Sequence, residues 1–318
     1  QFRDKKDEAK NIILLSLESM SDLNHLKKTY GLYKYKNINK LIADSEVYQE
    51  VFSPVDATLT YAASMMSGLL PSQHGIGDYS IGSDTFMNQT LNKDLLSLPK
   101  RLKQKGFLTF FSGTATRLSS KIGFSDGFDD YYQVNSNYDI NRPSINALIN
   151  GLEAYKKLDK FFFFHLDHLH EPYLSFGNET KPSLHDLSIL DPKNKNLYSD
   201  LYGLGLSKLD RDIGTLINYL KDEDEYDRTL IIFTGDHGNG INWVKGDDYS
   251  LYEERLRVPL LVKHPSWSKG NQGITEGSVN SIFKIHQIIN ASLDIDFPEA
   301  VKSLPQYDEE YKDYIFAE

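Results

Sequence analysis

Thr229–Gly240 reads TLIIFTGDHGNG. Leu230 to Thr234 is an unbroken run of apolar and β-branched residues, the pattern of a short strand buried on both faces. Gly235 ends the run, and Asp236 and His237 stand at its C-terminal end. Gly238 and Gly240 leave the backbone free to turn there. In open α/β sheets, chemistry collects at the carboxyl ends of strands. A carboxylate beside an imidazole at such a point is a metal-ligand pair or an acid–base pair. The competing reading is a turn whose Asp caps a neighbouring group and whose His is solvated.

Working outward, Asn11–Leu17 (NIILLSL) is a second apolar run of strand length, followed at once by Glu18. A lone Glu after a strand is commonly a cap. After a strand buried on both faces, however, its carboxylate projects from the sheet top, where the Asp236 strand also ends. Glu18, Asp236 and His237 converging there make a site for a hard cation. Thr58–Ser67 has helical spacing and is closed by Gly68. Thr58 at its start reads as an N-cap on local grounds. The functional reading is a nucleophile facing the positive helix end and a metal ion. His74, in a turn before Gly75, reads as structural.

The remaining elements alternate. Helical periodicity covers Tyr35–Ser45, Leu95–Lys105, Ser144–Lys157, Leu197–Leu220 and Val279–Ser292. Strand patterns cover Val47–Phe52, Phe107–Ser112, Lys160–Leu166 and Val258–Lys263. Strands alternating with helices predict an α/β fold with a mostly parallel central sheet and helices on both faces. Lys160–Leu166 runs into Asp167-His168-Leu169-His170-Glu171, so three histidines and two acids crowd a strand end, with His165 in the strand or its last turn. Leu174–Asn196 is polar and long enough for a lid. Asn239–Asp248 is a polar loop carrying Lys245.

The 318 residues, 40% of them hydrophobic, suffice for one large α/β domain, and 20 Tyr and 17 Phe exclude a disordered composition. A net charge of −10 without a long Lys/Arg block argues against nucleic acid as partner. With no cysteine, disulfides, thiolate metal sites and cysteine nucleophiles are excluded. No stretch reaches the roughly 18 apolar residues of a membrane span. The expected organisation is a leader or linker over 1–10, a catalytic domain over 11–295, and a tail or the start of a C-terminal subdomain over 296–318. The chain opens on Gln1 rather than Met, and Tyr314–Glu318 reads as a strand beginning, so a piece of a longer protein is expected.

The order of these pieces resembles the alkaline phosphatase superfamily in its sulfatase-like branch. The segments that carry the likeness are NIILLSLES, SGLLPSQHG, GFDDYY, HEPY, FTGDHG and LYEERLRVPLLV. Six such segments in the right order leave little room for chance. The resemblance implies that Glu18, Asp236 and His237 bind one divalent metal ion (Mn²⁺, Zn²⁺ or Mg²⁺), with Thr58 as fourth ligand and nucleophile. It implies that His170 contacts the substrate or leaving group and Lys245 the non-bridging oxygens. Sulfatases carry C-x-P-S-R or S-x-P-S-R at the nucleophile, whereas this chain reads TLTYA at Thr58–Ala62. Their G-K-x-H segment is replaced by SGTATR, which leaves Arg117 as an anion contact.

A Thr hydroxyl and a single Glu18 point to the lipoteichoic acid synthase and phosphoethanolamine transferase pattern. The expected activity is phosphate-ester hydrolysis or transfer through a phospho-threonine intermediate, on a glycan or lipid-linked headgroup. An extracytoplasmic location is favoured by the same resemblance. The alternatives are a sulfuric ester hydrolase and a binding module that keeps the fold without turnover.

Overall fold

The computed structural model describes residues 9–77, 90–113, 118–133, 145–169, 195–239, 251–267, 280–295, 304–307 and 317. Its frame is an eight-stranded sheet. The strands are β1 (Asn11–Leu17), β2 (Glu46–Phe52), β3 (Leu108–Gly113), β4 (Asp130–Gln133), β5 (Lys160–Leu166), β6 (Thr229–Gly235), β7 (Arg257–Lys263) and β8 (Asn280–Ser281). They lie in the order β4-β3-β5-β1-β6-β7-β2-β8. Only β7 runs against its neighbours β6 and β2; every other described pairing is parallel.

The helices are α1 (Leu23–Tyr30), α2 (Lys36–Ala43), α3 (Thr58–Ser67), α4 (Pro71–His74), α5 (Leu98–Gln104), α6 (Ile145–Ala154), α7 (Lys195–Asp222), α8 (Glu253–Leu256) and α9 (Lys284–Leu293). Successive strand residues face opposite sides of a sheet. On one side Ile12, Leu14, Phe161, Phe163, Leu230 and Ile232 pack in a core with Tyr61 of α3, Leu98 of α5 and Ile285 of α9. On the other side Ile13, Leu15, Phe162, Phe164, Ile231 and Phe233 pack with Leu26 of α1, Ile38 of α2, Leu148 of α6 and Leu209 of α7. Covered on both faces, the central strands are apolar throughout, and each fully buried large side chain contributes about 2 kcal/mol.

Helix α7 shows why sequence spacing finds long helices. Leu206, Leu209, Ile213, Leu216, Ile217 and Leu220 recur every three or four residues, and all are buried. Its polar face serves a neighbour. Asp210 Oδ1 accepts hydrogen bonds from the amides of Asn37 (2.8 Å) and Ile38 (2.9 Å), supplying the start of α2 with a cap that Tyr35 does not provide.

The expected α/β fold with a mostly parallel sheet and helices on both faces is the observed one. Several elements go beyond it, among them the single-turn helices α4, which takes up the turn expected at His74, and α8. No helix was expected between Glu18 and Tyr35, yet α1 forms there, with the Asp22 side chain accepting from the Asn24 and His25 amides and Gly31 ending it at φ 63°. The acidic aromatic stretch FDDYY runs into edge strand β4, which ends one residue beyond it at Gln133. Val279–Ser292 divides into the two-residue β8 and the helix α9. Among the described residues no helix is long and apolar enough to cross a membrane.

Candidate active site

Parallel register brings the site together. Leu17 at the end of β1 is level with Leu166 of β5 and Gly235 of β6. The next turn holds that level: the Glu18 amide donates to the Leu166 carbonyl (2.9 Å) and the Asp236 amide to the Leu17 carbonyl (3.0 Å). Ser16 and Glu18 follow Ile12 and Leu14 on the α3 face of the sheet, and His165 follows Phe161 and Phe163 there. Glu18, His165, Asp236 and His237 are all buried.

The turn after Glu18 is built around Asp236. Ser19 adopts a left-handed φ of 58°, costly for a residue with a side chain. Its amide thereby donates to Asp236 Oδ1 (2.9 Å), which also accepts from the His237 amide (2.7 Å). Tyr202 of α7 braces the turn, its hydroxyl donating to the Ser19 carbonyl and accepting from the Ser21 amide. Gly238 passes so close to the carbonyls of Glu254 and Arg257 that a Cβ has no room.

Thr58 is not the N-cap of its helix. Ala57 occupies that position in extended conformation (φ −135°, ψ 126°), and Thr58 is the first helical residue. The cap expected on local grounds is thus corrected: the Thr58 hydroxyl crosses to β1 and donates to Glu18 Oε1 at 2.5 Å. A carboxylate acceptor outcompetes the backbone because charge-assisted hydrogen bonds are about twice as strong as neutral ones. The preceding loop is tied down by Asp56, whose carboxylate lies 3.5 Å from the Arg255 guanidinium.

The two histidines at the site differ in which nitrogen is committed. His237 Nδ1 lies 3.0 Å from the Gly238 carbonyl, which can only accept, so Nδ1 carries the hydrogen. That leaves Nε2 with a lone pair, 3.9 Å from Glu18 Oε1 and 3.5 Å from Asp236 Oδ2. His165 Nε2 instead lies 2.6 Å from Glu18 Oε2, and its Nδ1 lies 3.1 Å from Ser16 Oγ. Sequence reading put His165 in a polar cluster but did not link it to Glu18. Its register with Ser16 across β1 and β5 is the signal that does.

The electrostatics call for a cation. Burial, and then the Glu18 charge, push the Asp236 carboxyl above its usual range, against the opposing pull of His237 and His165. Burial works to discharge His165, yet its hydrogen bond to Glu18 and the surrounding carboxylates hold its ionisation above the usual histidine range. Asp236 Oδ2 is buried with no hydrogen-bond partner among the described residues. Glu18, His165 and Asp236 each offer a ligand atom, all within 4.8 Å of one another. The unsatisfied Asp236 oxygen, the Glu18 carboxylate, the His237 Nε2 lone pair and the Thr58 hydroxyl form a donor set that fits a divalent metal ion.

The structure therefore gathers Glu18, Thr58, Asp236 and His237 at one point. His170, Lys245 and Arg117 lie outside the described residues, as does the expected lid up to residue 194. His168 is turned away to Asp212 of α7 (2.7 Å), and His74 to Ser64 of α3 (3.0 Å).

A mostly parallel sheet with helices on both faces is the fold of alkaline phosphatase-like proteins. Residues 10–294 match the sulfatase family, and the chain belongs to it. Lipoteichoic acid synthase 2 of Bacillus subtilis is 26% identical over 294 residues, 84% of this chain and 42% of the synthase. An N-acetylglucosamine-6-O-sulfatase of Bacteroides thetaiotaomicron is 35% identical over 78 residues, 24% of this chain and 14% of the sulfatase. The chain spans less than half the length of the curated relatives it matches. Among solved structures, the phosphonate monoester hydrolase of Agrobacterium radiobacter superposes with a TM-score of 0.68 at 15% identity, covering 90% of this chain and 74% of the hydrolase. A structure from glycosaminoglycan metabolism of Bacteroides thetaiotaomicron gives 0.70 at 15% identity, covering 95% and 77%.

Proposed function

We propose that this chain is the catalytic domain of a divalent-metal-dependent hydrolase or transferase acting on phosphate esters through a phospho-threonine intermediate. The observation that carries this reading is the unmodified Thr58 hydroxyl at the first residue of α3, 2.5 Å from Glu18 Oε1. The positive end of α3 faces that hydroxyl and favours the negative charge of a phosphoryl group.

Glu18, Asp236 and His237, with the Thr58 hydroxyl, would hold the ion, and their mixed oxygen and nitrogen donors suit Mn²⁺, Zn²⁺ or Mg²⁺. A divalent cation held there would acidify the hydroxyl and neutralise charge on the phosphoryl oxygens. Thr58 passes its hydrogen towards Glu18 Oε1, and its oxygen bonds to phosphorus as the bond to the leaving oxygen breaks. Water, or an acceptor hydroxyl on a glycan or lipid-linked headgroup, then attacks phosphorus, giving its proton to His170, and the released Thr58 oxygen takes back the proton held at Glu18 Oε1. Water completes hydrolysis; the acceptor completes transfer. In this reading His170 protonates the leaving oxygen, and Lys245 and Arg117 contact non-bridging oxygens. Those three roles, and an extracytoplasmic place of action, rest on the family resemblance.

Sulfuric ester hydrolysis is the second reading, favoured by the sulfatase among the relatives. Thr58 weighs against it, because threonine cannot supply the aldehyde hydrate of the sulfatase mechanism. The experiment is a substrate panel on protein loaded with Mn²⁺, Zn²⁺ or Mg²⁺, spanning a phosphomonoester, a phosphodiester, a phosphonate ester and an aryl sulfate. Turnover of the phosphate esters is expected. Turnover of the aryl sulfate alone overturns the phosphate assignment.

A further inference from the structure

Four hydrogen bonds close a ring beneath Thr58. The Thr58 hydroxyl donates to Glu18 Oε1, and His165 Nε2 pairs with Glu18 Oε2 at 2.6 Å. His165 Nδ1 pairs with Ser16 Oγ, which in turn pairs with the Tyr61 hydroxyl, both at 3.1 Å. Thr58 and Tyr61 stand three residues apart on α3 and so share a face of that helix, which completes the ring. Ser16 and Glu18 stand two apart on β1 and share a face of the sheet, and His165 is in register with Ser16. The imidazole thus spans two consecutive same-face positions of the neighbouring strand.

The hydrogen positions follow from the partners. An ionised Glu18, the form that binds a cation, has no hydrogen to give, so the contact with Oε2 requires the hydrogen on His165 Nε2. A ring nitrogen that carries a hydrogen has no lone pair left for a metal. His237 is arranged the other way, with its hydrogen on Nδ1 and its Nε2 lone pair towards the carboxylates.

We propose that His165 is a positioning residue rather than a metal ligand: it holds Glu18 by Oε2 and so fixes the carboxylate against Thr58, in the orientation in which it would hold an ion. The grouping of Glu18, His165 and Asp236 within 4.8 Å is then a carboxylate pair with a hydrogen-bond donor behind it. The inference rests on the reading that Glu18 binds a divalent ion. Partners behind metal ligands orient them and raise affinity, and their loss typically costs about 10- to 100-fold.

The test uses Mn²⁺ as probe on the full chain, with His165→Gln, which retains a donor at the Nε2 position, and His165→Leu, which removes it. Mn²⁺ affinity is measured by calorimetry, imidazole coordination by electron spin echo spectroscopy, and folding of the metal-free variants by circular dichroism. Affinity within about threefold of wild type is expected for His165→Gln, and a loss of about 10- to 100-fold for a folded His165→Leu. The imidazole nitrogen signal is expected to be unchanged in His165→Gln. A signal that falls in His165→Gln, or a folded His165→Leu that binds as wild type does, overturns the proposal. If His165→Leu does not fold, the nitrogen signal of His165→Gln decides. A wild-type protein that binds no Mn²⁺, Zn²⁺ or Mg²⁺ removes the underlying metal reading itself, and the proposal with it.

Discussion

His286 of α9 bonds through Nε2 to the Met65 carbonyl of α3, 2.6 Å away, and thereby anchors the helix that begins with Thr58. A carbonyl can only accept, so Nε2 carries the hydrogen, and Nδ1 is left to accept from Arg101 of α5 at 2.8 Å. Arg101 also donates to Asn290. Three helices are therefore pinned around one neutral imidazole with no exposed surface.

That arrangement makes stability pH-dependent in a defined window. Burial, and then the Arg101 charge, lower the His286 pKa from 6.5 to about 3. Between those values the unfolded chain binds a proton at this site and the folded chain does not. Stability conferred by neutral His286 is complete above pH 6.5 and declines as the pH falls, by up to about 1.4 kcal/mol per pH unit for one proton. Denaturant titrations of metal-free protein from pH 7 to pH 4 are expected to show a shallower decline in His286→Gln than in wild type. Equal slopes would mean that His286 is not the responsible group.

Asp236→Asn separates stability from function. Asn keeps an oxygen for the Ser19 and His237 amides but removes one of two crowded, buried negative charges. The metal-free variant is expected to be more stable than wild type by about 1 kcal/mol, as when strained functional sites are relieved. Added Mn²⁺ should raise the melting temperature of wild type and leave the variant unmoved. A variant still stabilised by Mn²⁺ would remove Asp236 from the ligand set.

Gly238 joins the site to the segment leading into β7, its amide donating to the Arg255 carbonyl at 2.6 Å. Any Cβ there meets the Glu254 carbonyl carbon and oxygen, which are backbone and cannot swing aside. Gly238→Ala is expected to destabilise the protein by about 1–3 kcal/mol, the usual cost of overpacking, and to weaken Mn²⁺ binding by displacing His237. Thermal unfolding with and without Mn²⁺ measures both effects. A variant as stable as wild type would show that the two loops are not locked together.

Legibility in the sequence followed the range of the physics. Glu18 and Asp236 could be paired because each directly follows an apolar run of strand length, and parallel strands end on one level. The Asp22 cap and Gly31 terminator of α1 were present in the sequence, but eight residues with only Leu26 and Tyr30 buried make a weak periodic signal. The reversed direction of β7 was not legible, since its apolar pattern is that of a parallel strand and the connection from β6 does not encode direction. The Thr58 hydroxyl was drawn to a cap by local rules, whereas a carboxylate from 40 residues away took it. The link from His165 to Glu18 spans 147 residues and exists only once β1 and β5 are in register.

The nucleophile assignment can be tested cleanly because Thr58 has no capping duty. Thr58→Val removes the hydroxyl and nearly preserves shape, at a position that is 4% exposed. It leaves Glu18 Oε1 without its Thr58 donor, so a stability loss of about 1–3 kcal/mol is expected, with the fold retained. Turnover of a phosphate ester should fall to background in Thr58→Val even at saturating Mn²⁺. Thr58→Ser keeps the hydroxyl and should retain measurable activity, reduced because the smaller side chain is held less firmly against α3 and Glu18. Mass spectrometry of an acid-quenched wild-type reaction should find a phosphoryl adduct on the peptide containing Thr58, absent in Thr58→Val. Thr60 is the nearby rival hydroxyl, and the same peptide fragmented between the two residues assigns the adduct. Wild-type turnover by a folded Thr58→Val would eliminate Thr58 as nucleophile and leave Thr60 or direct attack by water as the next candidates.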